Sequence, residues 1–175
     1  PRGTYSSYGR LAGYLAARLG ARAEIVQRGS FSEINQLLDG DALSLAFICG
    51  GAYPEARDHL KARPLAVPVV FGSSSYRSTI IVPSGAPTRS LSELSGARIA
   101  FVDPLSLAGR IYLIQRLRRL DVSPVAVIGQ AVWTHSDDRS MSLVARGLVD
   151  AAAVSSLVRS TGFTTQGNPA LAIHA

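Results

Sequence analysis

Cysteine and lysine are nearly absent from this 175-residue chain, each occurring once, as Cys49 and Lys61. A single cysteine closes no internal disulfide and excludes a zinc site built on paired thiolates. His59, His135 and His174 share no metal-ligand spacing, so neither a metal nor another cofactor is expected. Apolar runs such as Pro64–Phe71 stop far short of the roughly 20 residues that a spanning helix needs, so the chain is not expected to cross a membrane. No charged-then-apolar leader stands at Pro1, and a secretion signal is expected to have been removed or never present. Charged residues make up 17% of the chain and hydrophobic ones 47%, which excludes whole-chain disorder and provides a sizeable core. The length suits one compact domain or two small lobes.

The net charge is +6, yet the composition argues against nucleic acid as a partner. The basic residues run from Arg2 to Arg159 and are dense only at Arg116–Arg119. A nucleic-acid binder concentrates its charge on one element and carries a reading motif, and neither is present. A basic surface serves equally to raise the local concentration of a small anion.

Periodicity alternates between helix and strand. Leu11, Leu15 and Leu19 form one helical stripe that Gly20 ends. Ala23–Gln27 reads as a short strand. Ser30 and Glu33 have capping-box spacing and open a helix through Leu38. Leu43–Cys49 is the apolar run expected of a strand covered on both faces, and a helix closes at His59–Ala62. Leu65–Phe71 and Ser78–Val82 are strand-like, separated by the Gly72–Ser75 breaker. Ser90 and Glu93 repeat the capping-box spacing. A strand at Arg98–Val102, a helix carrying Leu107, Ile111, Ile114, Leu117 and Leu120, a strand at Val125–Trp133, a helix at Asp138–Arg146 and a strand at Leu148–Val154 complete the series. This β-α-β-α-β order, read twice, predicts two α/β lobes with parallel sheets and a cleft between them. Ligands of such sheets bind beyond the carboxyl ends of the strands, here Gly50–Tyr53, Asp103–Gly109 and Ser155–Ser156.

At these positions the chain resembles the phosphate/phosphite/phosphonate substrate-binding proteins of ABC transporters, the phosphonate-binding branch of the type 2 periplasmic binding fold. The segments that carry the resemblance are Ala46–Tyr53 (AFICGGAY), Tyr76–Val82 (YRSTIIV), Ser90–Leu94 (SLSEL), Asp103–Ser106 (DPLS) with Gly109, and Gly147–Val154 (GLVDAAAV). Their order and spacing agree along nearly the whole chain. The resemblance implies a two-lobed α/β fold with lobe one incomplete, because the family is longer at both ends. The implied division is partial lobe one at 1–72, a hinge crossover at 73–84, lobe two at 85–163 and a return segment toward lobe one at 164–175.

The resemblance places the ligand among Tyr53, Tyr76, Ser78, Ser106, Leu107, Ala108, Gly109, Ser136, Asp137 and Ser155. Ser106 stands at the entrance of the Leu107–Leu120 helix, where hydroxyl, amides and dipole suit an oxyanion; the same position also suits an ordinary N-cap. Tyr53 and Tyr76 offer phenol donors and an aromatic wall. Cys49, in an apolar strand, is expected to be inert core. The chain departs from the family pattern at three positions: Ala108 stands for a second hydroxyl, Ser136-Asp137-Asp138 for Ser-His-Asp, and Ser155-Ser156 for Asp-Ser. Asp137 would repel an anion, since two like charges about 4 Å apart cost about 4 kcal/mol at an effective dielectric near 20. Loss of the acid at Ser155 argues against an aminoalkylphosphonate. Arg77 and Arg110 could compensate by facing the cleft, with solvated surface positions as the alternative.

The expected function is that of a periplasmic or otherwise extracytoplasmic solute receptor. It takes a small phosphorus oxyanion and presents its closed form to the membrane subunits of an ABC transporter. The alternative keeps the fold as the sensing domain of a signalling protein with a changed ligand. An enzyme is not expected. Neither Ser106 nor Cys49 has a histidine partner at motif spacing, and no P-loop glycine pattern is present.

Overall fold

The computed structural model describes residues 2–40, 42–70, 72–159 and 170–173. Three helices come first, α1 (Arg2–Leu19), α2 (Phe31–Asp39) and α3 (Tyr53–Leu60). Strands β1 (Ser78–Pro83) and β2 (Ala97–Phe101) follow. A π-helical turn at Leu107–Ile111 then runs into α4 (Tyr112–Arg119). The short α5 (Pro124–Val127), β3 (Ile128–Trp133), α6 (Asp137–Ala145), β4 (Ala151–Ser155), the single turn α7 (Ser156–Arg159) and β5 (Ala170–Ile173) complete the described chain.

The five strands form one sheet in the order β3-β2-β4-β1-β5. β2 pairs in parallel with both β3 and β4, as the β-α-β-α-β reading requires. β1 lies antiparallel to β4 and to β5, so the sheet is mixed rather than parallel throughout. An apolar strand carries no mark of its direction; β1 enters from the N-terminal segments instead of through a crossover helix, which frees it to run the other way. β5 lies within the expected return segment, and the rest of that segment is outside the described residues apart from these four positions.

Side chains alternate between the two faces with a period of two. Ile80, Val82, Ile99, Phe101, Ala151 and Ala153 pack with Leu113 and Leu117 of α4 on one side. Ile81, Ala100, Ala152 and Val154 pack with Met141 and Val144 of α6 on the other. Both faces are therefore covered, which explains why these strands read as continuous apolar runs. The alanines of β4 let the π-helical turn approach closely: a Cβ added at Gly109 would stand 3.5 Å from the Ala153 carbonyl oxygen and 2.6 Å from Ser106 Oγ.

The expected strands at 23–27, 43–49 and 65–71 do not join a sheet among the described residues, with Phe71 itself outside them. A strand exists through its ladder, and these extended segments have no partner strand here; the nearest feature is an isolated bridge between Val70 and Ser73. Leu65, Val67 and Val69 are consequently more than three-fifths exposed. The N-terminal helices hold together by other means. Ser30 and Glu33 form the expected capping box on α2. Asn35, buried between α2 and α3, donates to the Ala52 carbonyl at 3.2 Å and to Glu55 Oε2 at 2.8 Å.

Three boundaries also shift. The strand expected from Val125 starts at Ile128, because Ser123-Pro124 opens a helical turn. The strand expected from Leu148 starts at Ala151, after a turn that Gly147 enters with a φ of 66°. Ser90 and Glu93 open only the 3-10 turn Leu91–Glu93, since the Ser90 hydroxyl bonds the Glu93 carboxylate rather than its amide.

Candidate ligand site

Because β2, β3 and β4 are parallel, their carboxyl ends lie at one end of the sheet, where loops follow β2 and β3 and the single turn α7 follows β4 directly. After β2 comes the buried Asp103, whose carboxylate accepts the Leu105 N–H at 2.8 Å. It also accepts the Phe31 N–H at 3.2 Å, at the start of α2, joining the N-terminal segments to this loop. The Asp103 carbonyl accepts the Ser106 N–H at 3.0 Å. Ser106 is the N-cap: its Oγ accepts the Gly109 N–H at 3.0 Å, and its carbonyl takes the N–H groups of both Arg110 and Ile111. That double acceptance makes the entrance a π-helical turn, a feature frequent at functional sites.

Hydrogen-bond bookkeeping at this entrance isolates one group. The Leu107 N–H donates to Cys49 Sγ at 3.3 Å. The Ala108 carbonyl accepts the Ser78 hydroxyl at 2.5 Å. The Ala108 N–H has no partner among the described residues, although Ala108 is buried. N–H groups of a helix's first turn have no intrahelical acceptor and are open to an outside one, an anion included.

Tyr76 lies across from this turn. Its hydroxyl stands 3.9 Å from Cys49 Sγ. Desolvation pushes its pKa up to about 12, helped by Cys49 and by the charge of Asp137, so the phenol stays a donor at neutral pH. Asp137, at the start of α6, accepts the Ser155 N–H at 3.1 Å. Burial raises its carboxyl above the usual range and neighbouring Asp138 adds to this, against the Ser155 amide.

The structure thus brings Tyr76, Ser78, Ser106, Leu107, Ala108, Gly109, Asp137 and Ser155 together, with several of their groups already engaged. The Ser78 hydroxyl is spent on Ala108. The Ser155 hydroxyl accepts the Leu157 N–H at 3.2 Å. Ser136 caps α6, accepting the Arg139 N–H at 3.4 Å, and is linked to the cluster through its neighbour Asp137. Tyr53 opens α3, its N–H on the Cys49 carbonyl at 3.2 Å; its phenol makes no hydrogen bond to the cluster.

Arg110 does not turn toward Asp137. Its guanidinium donates to the Pro104 carbonyl at 3.2 Å and lies 5.9 Å from the centre of the Trp133 ring. Arg77 pairs its backbone with Ser156, and exposed His135 is held by its N–H on the Val102 carbonyl. The position that sequence reasoning missed is Cys49. Expected in inert core, it is half-buried and touches both Leu107 and Tyr76. An apolar run gives no sign of a contact made 58 positions away. No group of three metal-ligating side chains occurs among the described residues.

Residues 1–163 match the family model described as the periplasmic substrate-binding protein of phosphonate ABC transporters. No curated protein matches the chain. Among solved structures it is similar to PhnD1 of Prochlorococcus marinus in complex with methylphosphonate, at 16% identity and a TM-score of 0.82, covering 99% of this chain and 68% of that one. A binding-protein component of an ABC phosphonate transporter from Pseudomonas aeruginosa gives 17% identity and a TM-score of 0.83, with coverage of 99% and 60%. The alkanesulfonate-binding protein SsuA of Xanthomonas axonopodis gives 22%, 0.64, 97% and 55%. The fold is that of type 2 periplasmic binding proteins, and the chain spans between about half and two thirds of the length of these relatives. The chain belongs to the family of periplasmic substrate-binding proteins of phosphonate ABC transporters.

Proposed function

We propose that this chain is part of an extracytoplasmic, non-catalytic receptor for a small phosphorus oxyanion, delivering phosphonate, phosphite or phosphate to the membrane subunits of an ABC transporter. The observation that carries the reading is the Ala108 N–H at the helix entrance, in a buried residue and without a partner among the described residues. Beside it lies the Ser106 hydroxyl, whose oxygen accepts Gly109 and whose proton has no acceptor among the described residues. An oxyanion oxygen placed there would take both donors, on the positive end of a helix that continues to Arg119. Tyr76 would supply a third donor from the crossover segment.

The relatives support the ligand class: PhnD1 was solved with methylphosphonate. Residues 1–72 would form one side of the receptor and 85–163 the other, with the crossover at 73–84 as the hinge on which they close. Isothermal titration of the full-length protein with methylphosphonate, phosphite, phosphate and aminoethylphosphonate tests this. Micromolar or tighter binding of one of the first three supports the reading, and absence of heat with all four overturns it.

A further inference from the structure

We infer that Cys49 is a specificity-determining residue of this site: its sulfur stands in the place of a ligand oxygen and competes with the oxyanion for the Leu107 amide. The inference rests on the oxyanion reading above and adds to it a residue outside the ligand set that the resemblance implies.

Two groups from separate parts of the chain meet at the sulfur, and one of them, the Leu107 N–H, donates to it. The Leu107 N–H reaches it at 3.3 Å and the Tyr76 hydroxyl stands 3.9 Å away. Sulfur is a weak acceptor, whereas a ligand oxyanion makes charge-assisted bonds about twice as strong as neutral ones. The adjacent Ala108 N–H and the Ser106 hydroxyl proton are both without partners among the described residues, so an anion at the entrance would extend naturally to Leu107. The sulfur occupies that extension.

The backbone that follows Cys49 lies closely against the helix entrance. A Cβ added at Gly51 would run into the Leu105 carbonyl oxygen, stand 2.7 Å from the Ile111 side chain and meet the Leu107 nitrogen at 3.0 Å. One at Gly50 would stand 3.2 Å from the Leu107 side chain. The chain after Cys49 is therefore packed against the helix entrance, and rotation of the thiol about χ1 is the smallest motion that clears the Leu107 amide. Binding then exchanges the sulfur for an oxygen on the Leu107 N–H, and the wild-type protein loses affinity by the free energy of that exchange.

Removing the sulfur should therefore tighten binding. Titration of the full-length wild type, Cys49→Ala and Cys49→Ser with methylphosphonate, phosphite and phosphate measures this. Proton–nitrogen NMR of the Leu107 amide without ligand gives a separate reading. Cys49→Ala should bind the preferred anion about tenfold more tightly, and its Leu107 amide proton should move upfield as the bond to sulfur is lost. Cys49→Ser keeps an acceptor for Leu107 and should stay near the wild-type affinity. Unchanged or weaker binding by Cys49→Ala, with the wild type still binding, overturns the role of Cys49 and leaves the receptor reading standing. If Cys49→Ala fails to fold, a large change in affinity on Cys49→Ser overturns it as well. Loss of binding in all three proteins removes the receptor reading and this inference with it.

Discussion

Asp137 accepts the Ser155 N–H at 3.1 Å, and this bond ties the start of α6 to the end of β4. The carboxylate spends one oxygen as a brace between two elements at the carboxyl end of the sheet. Its cost is electrostatic. Burial disfavours the charge, and the neighbouring Tyr76 hydroxyl is held protonated partly by that same charge. At the proposed oxyanion site, Asp137 would oppose the ligand while it supports the loop.

Asp137→Asn should separate these two effects, since the amide oxygen can still accept from Ser155. The folded carboxyl titrates above its ordinary value of 3.8, so the native state binds more protons than the unfolded state between 3.8 and the raised value. Stability therefore falls as pH rises through that window, and the penalty is fully present above it. Asp137→Asn should gain on the order of 1 kcal/mol at neutral pH. The gain should vanish as pH falls below 3.8, read from denaturant unfolding at several pH values. Oxyanion binding should tighten at pH 7 in the same variant.

Gly51 tests the contact between the N-terminal segments and the helix entrance. Its missing side chain is what lets the backbone lie against Leu105, Leu107 and Ile111. Gly51→Ala should push the two apart and cost about 1–3 kcal/mol, as for other overpacking substitutions. Because the obstruction includes backbone atoms, a rotamer change cannot absorb it. Thermal unfolding of Gly51→Ala beside Gly85→Ala, whose added Cβ would meet nothing within 4 Å, gives the comparison. Equal stability of the two would contradict the contact.

Tyr76 should be a late-titrating phenol. Its pKa is raised to about 12, first by desolvation and then by Cys49 and Asp137. Ultraviolet titration should show one tyrosine ionising well above the ordinary value of 10.0, and Tyr76→Phe should remove that step. Cys49→Ala should lower it, because the sulfur contact that helps to hold the phenol protonated is gone.

The second half of the chain was largely legible as a sequence for a physical reason. Its strands are covered on both faces, so Ile99–Phe101 and Ala151–Val154 appear as unbroken apolar runs between amphipathic helices. Leu43–Cys49 has the same appearance and forms no ladder, because propensity is local and a partner strand is not. The direction of β1 was equally hidden, since parallel and antiparallel strands use the same residues. At the site, the Ser106 cap was readable from a serine before an apolar helical stripe. The π-helical turn depends on which N–H groups the Ser106 carbonyl receives, and the role of Cys49 on a long-range contact. Neither has a local signature.

Ser106 serves the fold and the proposed ligand at once, so its removal should be felt in both. Ser106→Ala deletes the oxygen that receives the Gly109 N–H, leaving a buried amide without a partner. That loss should cost about 1 kcal/mol of stability, the usual scale for an N-cap. It also deletes the hydroxyl proton beside Ala108, which should weaken oxyanion binding about tenfold, the scale of a hydrogen bond to a charged group. Ser106→Thr keeps the hydroxyl for both duties while adding a methyl group in a buried position. If the hydroxyl matters only as a cap, Ser106→Ala should lose stability and keep its affinity once titrated below its unfolding temperature. If it also holds the ligand, Ser106→Ala should lose affinity at temperatures where it is fully folded, and Ser106→Thr should recover more affinity than stability.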